Sequence, residues 1–237
     1  FVDVNNDGWL DLHVQGESSF LFINNQDGTF TQKSVPQGPG FMAGFEDLNN
    51  NGKWDMVYAG DNKVYYNDGL GNFTASATFN PGGIDDPRAV AFADIDNDGD
   101  MDVVAARNDL LNILLRNNLD NGNNFLKVSA TGPGGDAGGF GTKIWVFAKD
   151  HLGDKAALLG YKEIMPVNGH LSQYSPVQHF GLGSHAACDV LALFMDGTFV
   201  IERHVMANQT LDISSAHFTH NSRPNALRIL DGDAQAD

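Results

Sequence analysis

The sequence predicts an all-β protein, and three observations support this fold class. A nine-residue acidic pattern, D-x-[DN]-x-[DN]-G-x-x-D, begins at Asp3, Asp47 and Asp94. Runs of β-branched and aromatic residues follow each copy, and such runs are typical of strands. Turns rich in asparagine and glycine separate further apolar runs, as in β-hairpins. The copies begin 44 and then 47 residues apart, a period that together with strands predicts four-stranded propeller blades.

Each predicted blade consists of two hairpins, and the acidic loop lies in the first. The second turns are Asn25–Gly28 and Asn67–Asn72, and the third unit breaks at Asn117–Gly122. We expect a domain of residues 1–119, with blades over about 1–40, 41–87 and 88–119. A closed propeller needs about four to eight blades. Phe1 looks like the end of a strand. We therefore expect either that the chain is a piece of a longer protein or that another chain supplies the missing blades.

The repeat stops near residue 120, and a second β domain is predicted over 120–213. Its clearest strands are Phe125–Val128, Lys143–Ala148, Val190–Phe194 and Thr198–Ile201, and glycine-rich Thr131–Gly141 is expected to be a loop. The single cysteine, Cys188, lies in an apolar run and is expected to be a buried, inert thiol. Residues 214–237 lose the strand pattern and are expected to form an acidic tail.

The acidic loops place oxygen-bearing side chains at positions 1, 3, 5 and 9, which suits a hard cation such as calcium. Glycine at position 6 lets the backbone turn around one ion. An EF-hand is excluded because position 12 is Val14, Tyr58 or Ala105 instead of glutamate, and strands follow. A polar turn without metal is the alternative. The predicted side-chain ligands are Asp3, Asn5, Asp7 and Asp11; Asp47, Asn49, Asn51 and Asp55; and Asp94, Asp96, Asp98 and Asp102.

The three loops differ in the number of carboxylates at these positions. The loop at Asp94 has four, the loop at Asp3 has three, and the loop at Asp47 has two. Because fewer carboxylates attract a cation less strongly, we expect up to three calcium ions, with the weakest binding at Asp47.

Charge and motifs exclude several functional classes. The 237 residues include 30 acidic and 14 basic side chains, a formal charge of −16, which argues against a nucleic-acid partner. The sequence contains no run of 18 apolar residues, so no membrane-spanning helix is predicted. The sequence contains neither G-x-S-x-G nor H-E-x-x-H, and we expect no enzymatic activity.

The chain resembles a known combination of families. Phe92–Asp102 and Asn24–Phe30 look like FG-GAP/VCBS repeats. Gly139–Ile144, Gly169–Tyr174 and His179–Gly183, together with the turn at Asp196, resemble the ASPIC/UnbV domain that follows such repeats in cartilage acidic protein-like proteins.

The resemblance implies a calcium-loaded partial β-propeller of three blades followed by a small β-sandwich-like domain. It adds the position-7 backbone carbonyls of Trp9, Lys53 and Asp100 as implied ligands. It also implies that His179 lies in a turn and has a structural role.

The expected function is that of an extracellular calcium-binding structural or adhesion module, secreted or at the cell surface, with protein or glycan partners. One alternative is a subunit of a self-assembling filament or homo-oligomer that pairs through an open blade edge. The other is a glycan-binding propeller, in which exposed aromatic residues would stack on sugars. The competing explanation for these aromatic residues is that they only pack in the core. These aromatic residues are Trp9, Trp54, Tyr65 and Tyr66. Asn72 and Asn208 are predicted glycosylation sites of such a glycoprotein.

Overall fold

The computed structural model describes residues 1–37, 43–58, 63–76, 87–107, 111–136, 138–166 and 175–215. This part of the chain is all-β, as predicted, with two short 3-10 turns at Pro133–Gly135 and Lys155–Ala157. The strands are β1 Leu12–Gln15, β2 Ser19–Asn24, β3 Phe30–Lys33, β4 Ala43–Glu46, β5 Asp55–Tyr58, β6 Lys63–Asn67, β7 Phe73–Ala75, β8 Pro87–Ala93, β9 Asp102–Arg107, β10 Ile113–Leu115, β11 Asn124–Thr131, β12 Lys143–Ala148, β13 Leu158–Glu163, β14 Gln178–Gly183, β15 Ala187–Leu193, β16 Phe199–Met206 and β17 Gln209–Ser214.

The chain divides into two compact units. The described residues of the first unit lie within Phe1–Asn5, Trp9–Asn121 and Pro166–Ser175. Those of the second unit lie within Asn6–Gly8, Gly122–Met165 and Pro176–Asp237. No helix among the described residues is long and apolar enough to cross a membrane.

The first unit contains three antiparallel sheets in sequence order, β1-β2-β3, β4-β5-β6-β7 and β10-β9-β8. We call them blade 1, blade 2 and blade 3. Blade 2 has the four strands expected of a propeller blade. In blade 1 an isolated bridge between Val2 and Asp11 precedes the three strands. The acidic loop of each blade leads into β1, β5 or β9, as its position in the sequence predicted.

Among the described residues of the first unit, two apolar clusters lie in the core, and blade 2 contributes to both. On one face of β5, Met56 and Tyr58 pack with Val4 and Leu21 of blade 1. On the other face, Val57 packs in a cluster to which blade 3 contributes its own buried apolar residues. Successive side chains of a strand point to opposite faces, so one short strand fastens blade 2 to both neighbouring blades.

The second unit is a β-sandwich of two sheets. One has the order β14-β11-β17, with β11 and β17 parallel, and the other has the order β13-β12-β15-β16. A single core cluster takes residues from both sheets, including Val128 and Phe180 from the first and Val146 and Val190 from the second. Cys188 is buried in this core, and burial together with the Asp189 carboxylate raises the pKa of its thiol to about 12.

One prediction in this unit is wrong. The segment His179–Gly183, expected to be a turn, belongs to strand β14 and pairs with β11. Its glycines suggested a turn, but here they lie in the sheet of a closely packed core. His179 is buried and stacks on Phe125 with ring centroids 5.7 Å apart, as a structural residue does. The Gly169–Tyr174 segment and nearly all of the expected tail, residues 216–237, lie outside the described residues.

Candidate metal centre

The three acidic loops share one backbone conformation. The residue at position 4 is left-handed in each, with φ of 53° at Asn6, 57° at Asn50 and 60° at Asn97. The position-6 glycine also has positive φ, between 82° at Gly52 and 95° at Gly99. Asparagine and glycine are the residues that adopt this conformation at least cost, so the repeated sequence produces a repeated turn.

The aspartate at position 9 joins each loop to its sheet. Both oxygens of buried Asp102 accept backbone hydrogen bonds, Oδ2 from the Ile95 N–H at 3.0 Å and Oδ1 from the Asn117 N–H at 2.7 Å. The same two bonds recur in the other blades, from Val4 and Asn24 to Asp11 at 3.0 and 2.8 Å, and from Leu48 and Asn67 to Asp55 at 3.1 and 3.0 Å. This aspartate therefore has a structural role besides its predicted role as a ligand.

Two of the three asparagines that complete this arrangement also connect neighbouring blades. The side-chain amide of Asn67 donates to the Val4 carbonyl of blade 1 at 2.7 Å. The amide of Asn117 donates to the Leu48 carbonyl of blade 2 at 2.7 Å. Asn24 donates within its own blade, to the Leu10 carbonyl at 3.1 Å. Sequence reasoning missed these residues, although an asparagine recurs at or just after the end of the strand that follows each loop-bearing strand.

The third loop brings three predicted ligands together. Asp94, Asp96 and Asp102 each offer one carboxylate oxygen, and these atoms lie within 4.8 Å of one another. Oδ2 of Asp96 pairs with the Arg116 guanidinium at 2.9 Å, whereas its Oδ1 is buried without a hydrogen-bond partner. An unpartnered buried carboxylate oxygen is costly, and three carboxylates this close together suit a divalent cation.

The remaining residues of the third loop surround this group. Exposed Asp98 is outside the group, and its Oδ1 accepts the Asp100 N–H at 2.9 Å. The side chain of Asp100 accepts the amide of Asn50 from blade 2 at 2.8 Å. Burial, together with the negative charges of Asp98, Asp94, Asp102 and Asp96, raises the pKa of Asp100 to about 6. The loop is thus crowded with negative charge.

In the second loop, as in the third, side-chain oxygens accept N–H groups of the loop's own backbone; in the third loop Asp94 accepts the Gly99 N–H at 2.9 Å. Asp47 accepts the N–H groups of Asn51 at 3.1 Å and Gly52 at 2.7 Å. Asn51 in turn accepts the Lys53 N–H at 2.9 Å. Glu46, which sequence reasoning missed, is buried next to Asp47 and accepts the Asp47 N–H at 3.0 Å. Burial, followed by the charge of Asp47, raises the pKa of Asp55 well above its usual value.

The first loop is divided between the two units. Asp3, Asn5, Trp9 and Asp11 belong to the first unit, whereas Asp7 belongs to the second. Asp3 and Asp11 are buried. Within the described residues, the third loop contains the only group of three acidic, histidine or cysteine side chains that could hold a metal ion.

The other predicted sites lie on the surface or against the core. Asn72 and Asn208 are exposed, and their amides donate to Asp68 at 2.7 Å and to Asn124 at 2.8 Å. The four aromatic residues considered for sugar stacking are half-buried; Trp54 and Tyr65 pack against the core cluster shared by blades 1 and 2, and Tyr66 against the one shared by blades 2 and 3.

Comparison with known families agrees with this architecture. The profile of the FG-GAP-like repeat matches residues 47–105, which include the second and third acidic loops. The profile named ASPIC and UnbV matches residues 132–219 in the second unit. No curated protein matches the chain. FG-GAP repeats are typical of extracellular proteins and often bind calcium. The chain therefore contains an FG-GAP-like repeat followed by an ASPIC and UnbV domain.

Proposed function

We propose that this protein is an extracellular calcium-binding structural or adhesion module, in which calcium in the third loop stabilises the blades. The single observation that best supports this function is the convergence of one carboxylate oxygen from each of Asp94, Asp96 and Asp102, which lie within 4.8 Å of one another. Carboxylate oxygens are the ligands that calcium prefers, and three of them supply a strong charge for a divalent ion.

The position of Asp102 gives the ion a structural role. Asp102 begins strand β9 and binds the backbone of Asn117, while the Asn117 side chain holds blade 2. An ion bound by Asp94, Asp96 and Asp102 would fix the loop to this strand and offset the repulsion between the carboxylates. We propose no catalytic role, because the predicted ligands already serve to order the loop and strand.

The second loop is proposed as a weaker calcium site than the third. Two of its four predicted side-chain ligands are neutral, whereas all four in the third loop are carboxylates. The smaller negative charge attracts a divalent ion less strongly.

Calorimetric titration of calcium into the chelator-treated chain tests this proposal. We expect binding with a dissociation constant of roughly 0.1–1 mM, as in other extracellular calcium modules, and at least about tenfold weaker binding to the strongest site in Asp96→Asn. Glu17→Gln is the matched control, because it removes one negative charge from an exposed hairpin tip. Absence of binding to the folded chain, or equal affinity of Asp96→Asn and wild type, would contradict the proposal.

A further inference from the structure

We propose that Asn50 of the second acidic loop is a positioning residue for the third loop, so that calcium binding by the two loops is coupled. Asn50 occupies position 4 of its loop, is 4% exposed and has a left-handed backbone, with φ of 57°. Its side-chain amide donates to the Gly99 carbonyl at 3.1 Å and to Oδ1 of Asp100 at 2.8 Å. This inference rests on the proposed calcium sites and adds that they do not bind independently.

The two acceptors lie in the part of the third loop that orients its carboxylates. The Gly99 N–H donates to Oδ2 of Asp94 at 2.9 Å, and the Asp100 N–H donates to Oδ1 of Asp98 at 2.9 Å. Asn50 therefore holds the carbonyl of one residue and the side chain of the next, while the N–H groups of these residues hold two predicted ligands. The contact restricts the segment that also carries the implied backbone ligand, the Asp100 carbonyl.

The backbone on either side of Asn50 is held by predicted ligands of the second loop. The N–H groups of Asn49 and Asn51 donate to Oδ1 of Asp47 at 3.3 and 3.1 Å. The Asn51 N–H also reaches Oδ1 of Asn49 at 3.2 Å. An ion bound by these three side chains would fix the residue between them, and a fixed Asn50 holds the third loop at a smaller cost in conformational entropy. Binding in one loop should therefore favour binding in the other.

Position 4 of the other loops shows that this contact is not a consequence of the turn alone. The amide of Asn6, in the first loop, donates to the Leu159 carbonyl at 3.3 Å. Asn97, in the third loop, is exposed. The turn requires only a residue that adopts positive φ, which asparagine or glycine supplies. The buried amide of Asn50 is thus used for the contact with the third loop.

The chemistry of the contact favours a measurable effect. A hydrogen bond to a carboxylate is stronger than one between neutral groups, and burial strengthens it further. Two bound divalent ions repel each other, which opposes the coupling, but salt screens this repulsion. The contact is therefore best tested at physiological ionic strength, with substitutions at Asn50 that leave the charge unchanged.

Calcium titration of the whole chelator-treated chain, followed by the NMR amide signals of Gly52 and Gly99, measures the two loops separately. Each of these position-6 glycines donates its N–H to the position-1 aspartate of its own loop, Gly52 to Asp47 at 2.7 Å and Gly99 to Asp94 at 2.9 Å. Asp96→Asn weakens the third loop directly. Because coupling is reciprocal, we expect Asp96→Asn also to weaken binding at Gly52, by about fivefold.

Asn50→Gly removes the amide and keeps the turn, because glycine adopts positive φ at little cost. It should weaken binding at Gly99 by about threefold or more. In the Asn50→Gly background, the effect of Asp96→Asn on Gly52 should be at least about twofold smaller than in wild type. Asn97→Gly is the matched control, since it makes the same change at the same loop position on an exposed side chain and should keep the coupling.

A second variant approaches the contact from the other loop. Asp100→Ala removes one acceptor of the Asn50 amide and retains the backbone carbonyl of position 7, so it should also reduce the coupling. Circular dichroism should show that every variant is folded, and Asp100→Ala replaces Asn50→Gly in the comparison if the latter does not fold.

The outcomes distinguish this inference from the proposed function. If neither Gly52 nor Gly99 responds to calcium, the proposed calcium sites and the coupling both fail. If both respond, the coupling alone is overturned when Asp96→Asn leaves the affinity at Gly52 unchanged, or when its effect is the same in Asn50→Gly and in wild type. A response at only one of the two glycines also overturns the coupling.

Discussion

The Asp102 carboxylate accepts the backbone N–H of Asn117 at 2.7 Å, and the Asn117 side chain donates to the Leu48 carbonyl of the neighbouring blade at 2.7 Å. Two residues thus connect the acidic loop, its own sheet and the next sheet. The same relationship holds between Asp55 and Asn67, whose side chain binds Val4. The acidic loop is therefore part of the packing between blades as well as a candidate metal centre.

Replacing Asp102 by alanine should destabilise the protein even in chelator. The change leaves the buried N–H of Asn117 without its acceptor, at a cost of about 1–3 kcal/mol, and also removes the acceptor of the half-buried Ile95 N–H. Urea unfolding of the calcium-free chain measures this effect. Asp98→Ala is the control, because Asp98 is exposed and should change the free energy of unfolding by less than about 1 kcal/mol. Equal stability of Asp102→Ala and wild type in chelator would show that the aspartate serves only as a ligand.

Replacing Asn117 by alanine should weaken the contact between blades 2 and 3. Asn117 is buried, and its loss leaves the Leu48 carbonyl without the asparagine donor, so we expect a loss of about 1–3 kcal/mol. Asn118→Ala changes an exposed neighbour and should have little effect. Hydrogen exchange of β5 and β9 provides the local measurement. Faster exchange in these strands is expected in Asn117→Ala, and unchanged exchange would argue against the connecting role.

Local sequence predicted the repeated structures well, because local chemistry determines them. Asparagine at position 4 and glycine at position 6 of each acidic loop specify its turn. Successive apolar side chains of β5 point to opposite faces of the sheet, so both faces of this strand are buried. Strand β14 was predicted as a turn, since Gly181 and Gly183 suggested one whereas tertiary packing decides their conformation, and β13 was not among the predicted strands.

Long-range contacts were beyond the reach of sequence reasoning. Asn67 and Val4 are 63 residues apart, and nothing in the sequence near Asn67 indicates its acceptor. Asp189, predicted only as part of a core strand, is fully buried, and its oxygens accept the N–H groups of Asp150 at 3.1 Å and His204 at 2.8 Å. Burial of a charged group depends on partners that the fold brings together.

Buried His179 should make the second unit sensitive to acid. Burial, and then the positive charges of Lys162 and Lys127, hold the pKa of His179 well below its usual value of 6.5. Below pH 6.5 the unfolded chain binds a proton at this residue that the folded chain does not bind. The contribution of His179 to the free energy of unfolding should therefore stay constant above pH 6.5. As the pH falls below 6.5, the free energy of unfolding should decrease by up to about 1.4 kcal/mol per pH unit.

Urea unfolding of wild type and His179→Gln from pH 7.5 to 5 measures this dependence. Glutamine does not titrate, so the variant should lose less stability across this range, even if it is less stable at pH 7.5. His185→Gln, at an exposed position, is the matched control and should keep the wild-type slope. Identical slopes for wild type and His179→Gln would show that His179 does not cause the acid sensitivity.

The most direct test of the central claim is thermal unfolding of the wild-type chain with calcium and with chelator. If calcium stabilises the blades through Asp94, Asp96 and Asp102, then calcium at about 10 to 100 times the dissociation constant should add about 1.4–2.7 kcal/mol per site. For a chain of this size we expect Tm to rise by roughly 3–10 °C. A Tm that is the same in calcium and in chelator would contradict the account.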